Sequence, residues 1–590
     1  MKSILDVLSS IVSDAFEKCG YDKKLGGVTS SDRLDLCQFQ CNDSFEGSKL
    51  YRKAPVMISK EVAAVLSENT EIFKNVEAVA PGFINMTLTT SYMLKIINGI
   101  ANDENCGVLK SENPKTIVID FGGPNVAKPL HIGHLRSAII GESIKRLAKI
   151  SGHKVIGDIH LGDWGLQIGL VIAELSERYP DWKCFSEEFD AEKDEIPALT
   201  ADLLNEVYPF ASKKSKENDA FKEKAHQFTA ELQKEKPNCI ALWKEIMRVS
   251  IADLKGNYDK LNVSFDLWYG ESDAEKHVDE LIAILKDKNL LYESDGALVV
   301  DVEEETDKAP MPPVIIKKSD NSNLYATTDL ATIIQRQKDF NPDKIWYVVD
   351  ARQGLHFTQV FRCAKKAEII PAQTELEFLN FGTMNGSDGK PYKTREGGVM
   401  KLEDLLNNVT SAALEKLNNS TYINSLSEEE KLDLASKVGI AAVKFGDLIN
   451  HRAKDYIFDL DKFLSFEGKT GTYILYTITR MNSILKKAGV SYDEIIPLED
   501  IYSDVETELL LKIMLTGEAF LHAIEEKAPN YICDNAFVIA SIFSSFYHDN
   551  HVLDEKDEQK KKSWLGLILL TRKVLLKHLD VLGIDAVENM

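Results

Sequence analysis

Apolar positions change their period along the chain, and each change marks a different kind of element. Ile4, Leu5, Leu8, Ile11, Val12 and Phe16 recur at three- and four-residue spacing, as on an amphipathic helix, whereas residues 82–88 alternate as a strand does. This mixture predicts an N-terminal α+β domain over 1–110, ended by the Asn- and Pro-containing segment 111–115. Short apolar runs then appear at 116–120, 155–159, 298–302, 314–317, 344–349 and 376–381, interleaved with helical patterns at 134–150, 326–338 and 357–366. Strands alternating with helices predict an α/β core over 111–405, a doubly wound, Rossmann-like parallel sheet. A Lys/Glu-rich stretch at about 170–265 reads as a helical insertion into it. Beyond 405 strand signals fade, which predicts a helical connecting region over 406–470 and an all-α bundle over 471–590.

Composition narrows the picture. The 590 residues carry 70 Lys and Arg against 93 Asp and Glu, a net charge of −23. Such a surface does not coat nucleic acid through bulk charge, although it leaves room for local recognition of a folded RNA. No apolar run approaches the roughly 18 residues of a membrane span. Asp6 and Asp14 interrupt the first helix, so a secretory leader is not expected. The eight cysteines are scattered without metal-site spacing, as expected of reduced thiols in a cytoplasmic protein, and no protein metal site is predicted.

The chemistry concentrates where the first core strand ends. His131-Ile-Gly-His134 follows a strand and a Gly-Gly-Pro-Asn turn and opens a helix. A helix N-terminus offers free backbone N–H groups and a positive dipole end to phosphate. Gly133 permits close approach of a nucleotide, and two imidazoles can donate to phosphoryl oxygens as charge develops. Composition alone would give an H-x-G-H match only about 0.014 times in a chain of this length. A P-loop reading of Glu467-Gly-Lys-Thr470 fails because Phe463 stands where glycine is required. Trp164, Trp268, His226, His277 and His578 read as packing or surface residues.

The stretch from Asp120 through Arg136, the segments His160-Leu-Gly-Asp-Trp-Gly165, Phe265 to Glu271, Tyr325-Ala-Thr-Thr-Asp329 and Tyr347 to His356, and the C-terminal segments Glu467 to Tyr476 and Phe543 to Tyr547 together resemble class I aminoacyl-tRNA synthetases, and the arginyl-tRNA synthetases in particular. The resemblance implies activation of L-arginine by ATP with Mg²⁺, then transfer to the terminal adenosine of tRNA. It puts His131, Gly133 and His134 at the ATP phosphates. The family's Lys-rich loop corresponds to residues 387–397, where Lys390 and Lys393 flank Pro391 and Tyr392 in place of the usual Met-Ser. In arginyl enzymes a lysine before the histidine motif compensates, and Lys128 holds that position; Lys128, Lys390 and Lys393 are expected to share the triphosphate charge.

For the amino acid, the resemblance implies Glu271, Asp329 and Tyr325 around the guanidinium, with Asp120, Asn125 and Gln353 at the α-amino end. A guanidinium fork calls for carboxylates that pair with it bidentately. For tRNA it implies contacts by Phe39, Gln40, Asn42 and Phe83 in the N-terminal domain and by Tyr473, Tyr476, Arg480, Phe546 and Tyr547 in the bundle. Lys560 to Lys562 with Arg572, Lys573 and Lys577 offer a basic face. The expected partners are arginine tRNA isoacceptors, arginine and ATP, with no membrane and a monomeric state. Other nucleotidyltransferases also use an H-x-G-H helix entrance, but they need neither terminal domain.

Overall fold

The computed structural model describes residues 3–319, 323–390, 392, 400–418 and 422–590. The chain divides into two units. One comprises Met1–Glu112, Ala413–Ile449 and Asp461–Met590, and the other Asn113–Ala412 and Asn450–Leu460.

In the first unit, strands β1 (Val28–Ser30), β2 (Phe39–Cys41), β3 (Phe73–Val79) and β4 (Phe83–Leu88) form an antiparallel sheet in the order β1-β2-β4-β3. Helix Ile4–Lys18 buries Leu8, Val12 and Phe16, the apolar stripe of its sequence. Helix Thr90–Asn102 is tied to the C-terminal helices: Asn98 exchanges hydrogen bonds of 3.0 and 2.9 Å with the Leu498 backbone, and Lys573 Nζ donates to the carbonyls of Ala101 and Asp103. The rest of this unit is helical, including Glu428–Leu448, Gly471–Ala488, Asn530–Asp549 and Glu558–Val581.

In the second unit, β5 (Thr116–Phe121) and β6 (Lys154–Asp158) precede β7 (Leu291–Ser294), β8 (Ala297–Val300) and β9 (Val314–Lys317), and then come β10 (Lys344–Asp350) and β11 (Glu375–Phe381). The parallel sheet has the order β11-β10-β5-β6. Its strands are apolar runs because helices cover them: Val118, Ile156, Ile345, Tyr347 and Phe357 form one core cluster. Only four of the six expected runs join this sheet. The run at 298 pairs instead with β7, and the run at 314 with the run at 298, in a separate antiparallel sheet of order β7-β8-β9. The reason is the turn Asp295-Gly296, where both residues have positive φ (50° and 75°), the backbone of a tight hairpin.

Helices Ala201–Glu217, Asp219–Gln233 and Pro237–Lys260 make up the insertion. Helix Ile132–Ile150 is buried along nearly its whole length, and a Cβ on Gly141 would stand 2.3 Å from the Phe121 ring. That glycine lets the helix seat directly on β5. Within the expected connecting region, residues 450–460 return to the second unit and contribute a strand, β13 (Tyr456–Ile457), parallel to β12 (Met384–Asn385). No helix among the described residues is long and apolar enough to cross a membrane.

Candidate active site

The chain leaves β5 outward to β6 on one side and returns to β10 on the other, so the strand order reverses between β5 and β10 while every strand stays parallel. A crevice opens at such a switch point, beyond the carboxyl ends of the strands, and ligands of open α/β sheets bind there. The loop 122–131 leaves β5 at this place, and Gln353 and His356 follow β10.

His131 is the N-cap of helix Ile132–Ile150, and the two histidines cap it reciprocally. The Gly133 amide donates to His131 Nδ1 and the His131 amide to His134 Nδ1, each at 3.1 Å, with ring centroids 4.0 Å apart. Burial, with Lys128 adding, lowers the His131 pKa to about 4. Burial, His131 and Lys128 lower that of His134 to about 3. Both rings are therefore neutral near pH 7. Because Nδ1 accepts in each, the proton sits on Nε2, leaving each ring an N–H to donate.

The preceding loop is held from two sides. The Val126 amide donates to the Gly162 carbonyl at 2.9 Å, and the Ala127 amide, in a residue at φ 60°, donates to Ser250 Oγ at 3.2 Å. Lys128 follows directly. On the far side, the chain emerging after residue 399 pairs with the motif: the Ile132 amide donates to the Met400 carbonyl, the Leu402 amide to Leu130, and His131 bridges Lys401. Lys390 is exposed in a turn closed by the Gly386 amide on its carbonyl, and Lys393 lies outside the described residues. Arg136, almost wholly buried, donates to the Gly382 and Lys454 carbonyls and so fixes the exit of β11 toward this loop.

At the carboxyl ends of the strands, Asp120, Tyr347 and Asp158 stand level across β5, β10 and β6. Arg336 reaches over them from helix Tyr325–Phe340. Its Nη2 is 2.6 Å from both Asp120 Oδ2 and Asp158 Oδ2, and its guanidinium lies 5.4 Å from the Tyr347 ring centre. Asp120 is thus already paired, although two carboxylates share one cation. Glu271 begins helix Glu271–Glu275, and Asp163, 1% exposed, pins that helix by accepting from the Ser272 amide and hydroxyl at 3.0 and 2.6 Å. Burial raises the Glu271 pKa to about 7, while His160 acts in the opposite sense and Asp163 and Asp329 reinforce the rise. Asp329 Oδ2 accepts from His356 Nε2 at 2.5 Å. Tyr325 is 68% exposed one turn before Asp329, and Gln353 is exposed. The backbone of Asn125 bridges Gly162.

The residues expected at RNA separate into two groups. Phe39 and Phe546 are fully buried, Phe39 on β2 and Phe546 against Trp564, so both are core side chains and the expected contact is corrected. Tyr473 is half-buried with its hydroxyl 2.9 Å from Ser544 Oγ, and Gln40 donates to Asn85 at 2.8 Å. By contrast Asn42, Tyr476 and Arg480 are exposed, and Arg480 stacks 4.4 Å over the Tyr547 ring. Phe83 is half-buried against Phe45. The basic run is largely engaged: Lys560 lies over Trp564 and pairs with Glu555, Lys561 donates to the Leu553 carbonyl, and Arg572 covers Tyr492. His578 is buried between the Val574 carbonyl and Asn535.

Sequence reading missed Arg336, the Asp163–Ser272 clamp and the His356–Asp329 pair. Arg336 had no local signal, and Asp163 stood in the 160–165 segment without an assigned role. His356 stood inside a quoted segment without an assigned role.

Comparison with known proteins identifies the family and the fold. The family model "tRNA synthetases class I (R), catalytic domain" matches residues 95–460, "Arginyl tRNA synthetase N terminal domain" matches 5–88, and "DALR anticodon binding domain" matches 474–590. The chain is 49% identical to the arginine–tRNA ligase of Alkaliphilus oremlandii over 591 residues and 49% identical to that of Agathobacter rectalis over 598, covering 100% of each chain in both cases. The crystal structure of arginyl-tRNA synthetase from Plasmodium falciparum is similar with a TM-score of 0.80 and 25% identity, again over 100% of both chains. A histidine-capped helix at the switch point of a parallel sheet, with Glu271 and Asp329 anchored just beyond the neighbouring strands, thus occurs in a chain that belongs to the arginyl-tRNA synthetases of class I.

Proposed function

We propose that this chain is an arginine–tRNA ligase: it activates L-arginine with ATP and transfers the arginyl group to the terminal adenosine of its tRNA. The observation that carries the reading is the pairing of two chemistries at one crevice. His131 and His134, whose Nε2–H groups can donate, open the helix that follows β5, while Glu271, its amide bonded to Leu161 just beyond β6, and Asp329, paired with His356 just beyond β10, bring carboxylates to the same end of the sheet. The substrate carboxylate attacks the α-phosphorus of ATP and pyrophosphate leaves, with Mg²⁺ carried on the nucleotide as part of the substrate. The protein contributes position and charge stabilisation rather than a covalent intermediate. His131, His134, Lys128, Lys390 and Lys393 serve the phosphates. Glu271, Asp329 and Tyr325 hold the guanidinium, and the α-ammonium completes the charge balance of the Asp120–Asp158–Arg336 group, with Asn125 and Gln353 beside it. A lysine substrate would leave buried acceptors unpaired, a cost of about 1–3 kcal/mol each.

Asn42 and Phe83 on one side, and Tyr476, Arg480 and Tyr547 on the other, are the side chains we assign to unstacked tRNA bases. The enzyme acts as a cytoplasmic monomer on arginine isoacceptors. ATP–pyrophosphate exchange with arginine, run with and without tRNA, tests the reading: exchange should require tRNA and arginyl-tRNA should form. Failure to charge tRNA, with adenylation of some other metabolite, would overturn it.

A further inference from the structure

His356 and Asp329 come from different parts of the fold. His356 stands in the first turn of helix Gly354–Lys366, directly after β10, and Asp329 one turn into helix Tyr325–Phe340. Their side chains meet at 2.5 Å, Nε2 to Oδ2, with 29% and 19% of their surfaces exposed. A carboxylate only accepts, so Nε2 is the donor. The imidazole is in turn seated edge-on at 5.1 Å from Phe357, which belongs to an aromatic cluster with Tyr347, Phe361 and Phe378. The ring therefore has a fixed footing in the core beneath the crevice.

This matters because an aspartate carboxylate rotates easily about its terminal torsion. A bidentate pair with a planar guanidinium requires the carboxylate plane to be set before the ligand arrives. We infer that His356 is a positioning residue for arginine specificity: by occupying one lone pair of Oδ2 it fixes the plane of the Asp329 carboxylate and leaves Oδ1 and the other Oδ2 lone pair for the substrate guanidinium. The inference rests on the proposed guanidinium role of Asp329. It assigns His356 no contact with ATP and no part in the phosphoryl step.

The test is steady-state aminoacylation by the full-length enzyme with tRNA present, comparing His356→Ala, His356→Gln, Asp329→Asn and the double variant His356→Ala/Asp329→Asn. Loss of a hydrogen bond to a charged group predicts that His356→Ala raises KM for arginine about 30-fold while kcat and KM for ATP stay within about twofold. Gln, whose amide can donate from nearly the same place, should recover most of the loss. The double variant should be no worse than Asp329→Asn alone, because the two residues act as one unit. If Asp329→Asn raises KM for arginine but His356→Ala does not, the inference falls and the guanidinium site stands. If Asp329→Asn leaves KM for arginine unchanged, the guanidinium reading itself fails. Equal losses in kcat and in both KM values for the Ala and Gln variants would show a ring that only packs, and would also overturn the inference.

Discussion

Arg336 Nη2 lies 2.6 Å from Asp120 Oδ2, and the arginine side chain has no exposure to solvent at all. Asp120 sits at the end of the strand that feeds the histidine motif, so this ion pair fixes the floor of the crevice. Burial works against the guanidinium charge, but Asp120 and Asp158 outweigh it and hold Arg336 protonated. Removing one partner of such a buried group strands the others. Arg336→Met should therefore cost about 3–5 kcal/mol of stability, measured by urea denaturation. A loss under about 1 kcal/mol would mean that water or rearrangement replaces the pair.

The pH dependence of arginine binding should belong to Glu271. Its carboxyl is raised to about 7 in the empty site, so below that pH it holds a proton and presents no negative charge to the guanidinium. Binding then requires release of that proton. KM for arginine should rise by about tenfold per unit as pH falls below 7 and level off above about 8. Glu271→Gln should flatten this limb and leave a uniformly high KM. Neutral His131 and His134, with values near 4 and 3, should add no limb of their own to arginine binding between pH 5 and 8.

Replacing His134 by Ala removes an Nε2–H donor and half of the reciprocal cap. Loss of a donor aimed at developing charge typically slows the reaction about 10²- to 10³-fold. Single-turnover adenylate formation should fall by that amount while circular dichroism stays native. Unchanged turnover would exclude the role assigned here.

The aromatic side chains of the terminal domains should divide by burial. Phe39→Ala empties a fully buried site and should destabilise the fold by about 3–5 kcal/mol. Arg480→Ala removes an exposed guanidinium stacked on Tyr547 and should leave the melting temperature within a few degrees while raising KM for tRNA. Filter binding at two salt concentrations, beside thermal melts, separates the two effects.

Much of this was legible in the sequence, and the exceptions have physical causes. The apolar runs at 116, 155 and 344 predicted their strands because most of their residues are buried, whereas the run at 376 is a partly buried edge strand read from its spaced Leu and Phe. The runs at 298 and 314 carried the same apolar signal, yet the Asp295-Gly296 turn folds the first into a hairpin with β7, and the second pairs along that hairpin's edge. Hydrophobicity reports burial, and the turn decides the partner. His131 and His134 were readable because their spacing along one helix start is also their spacing in space. Arg336 was not, since its partners lie 216 and 178 positions away and nothing near it in sequence announces them. Phe39 failed for the opposite reason: an aromatic in a motif looks the same whether it stacks on a base or fills a core.

The bridge between His131 and Lys401 joins backbone positions about 270 residues apart. Closing so long a chain segment costs entropy before the contact returns anything, and contacts of this kind form late in folding. The helix start can cap itself locally, whereas the backbone opposite it arrives only when most of the second unit is in place. During synthesis the chain therefore carries the histidine-capped helix start for about 270 residues before its backbone partner exists, so a stalled or truncated product holds half a clasp.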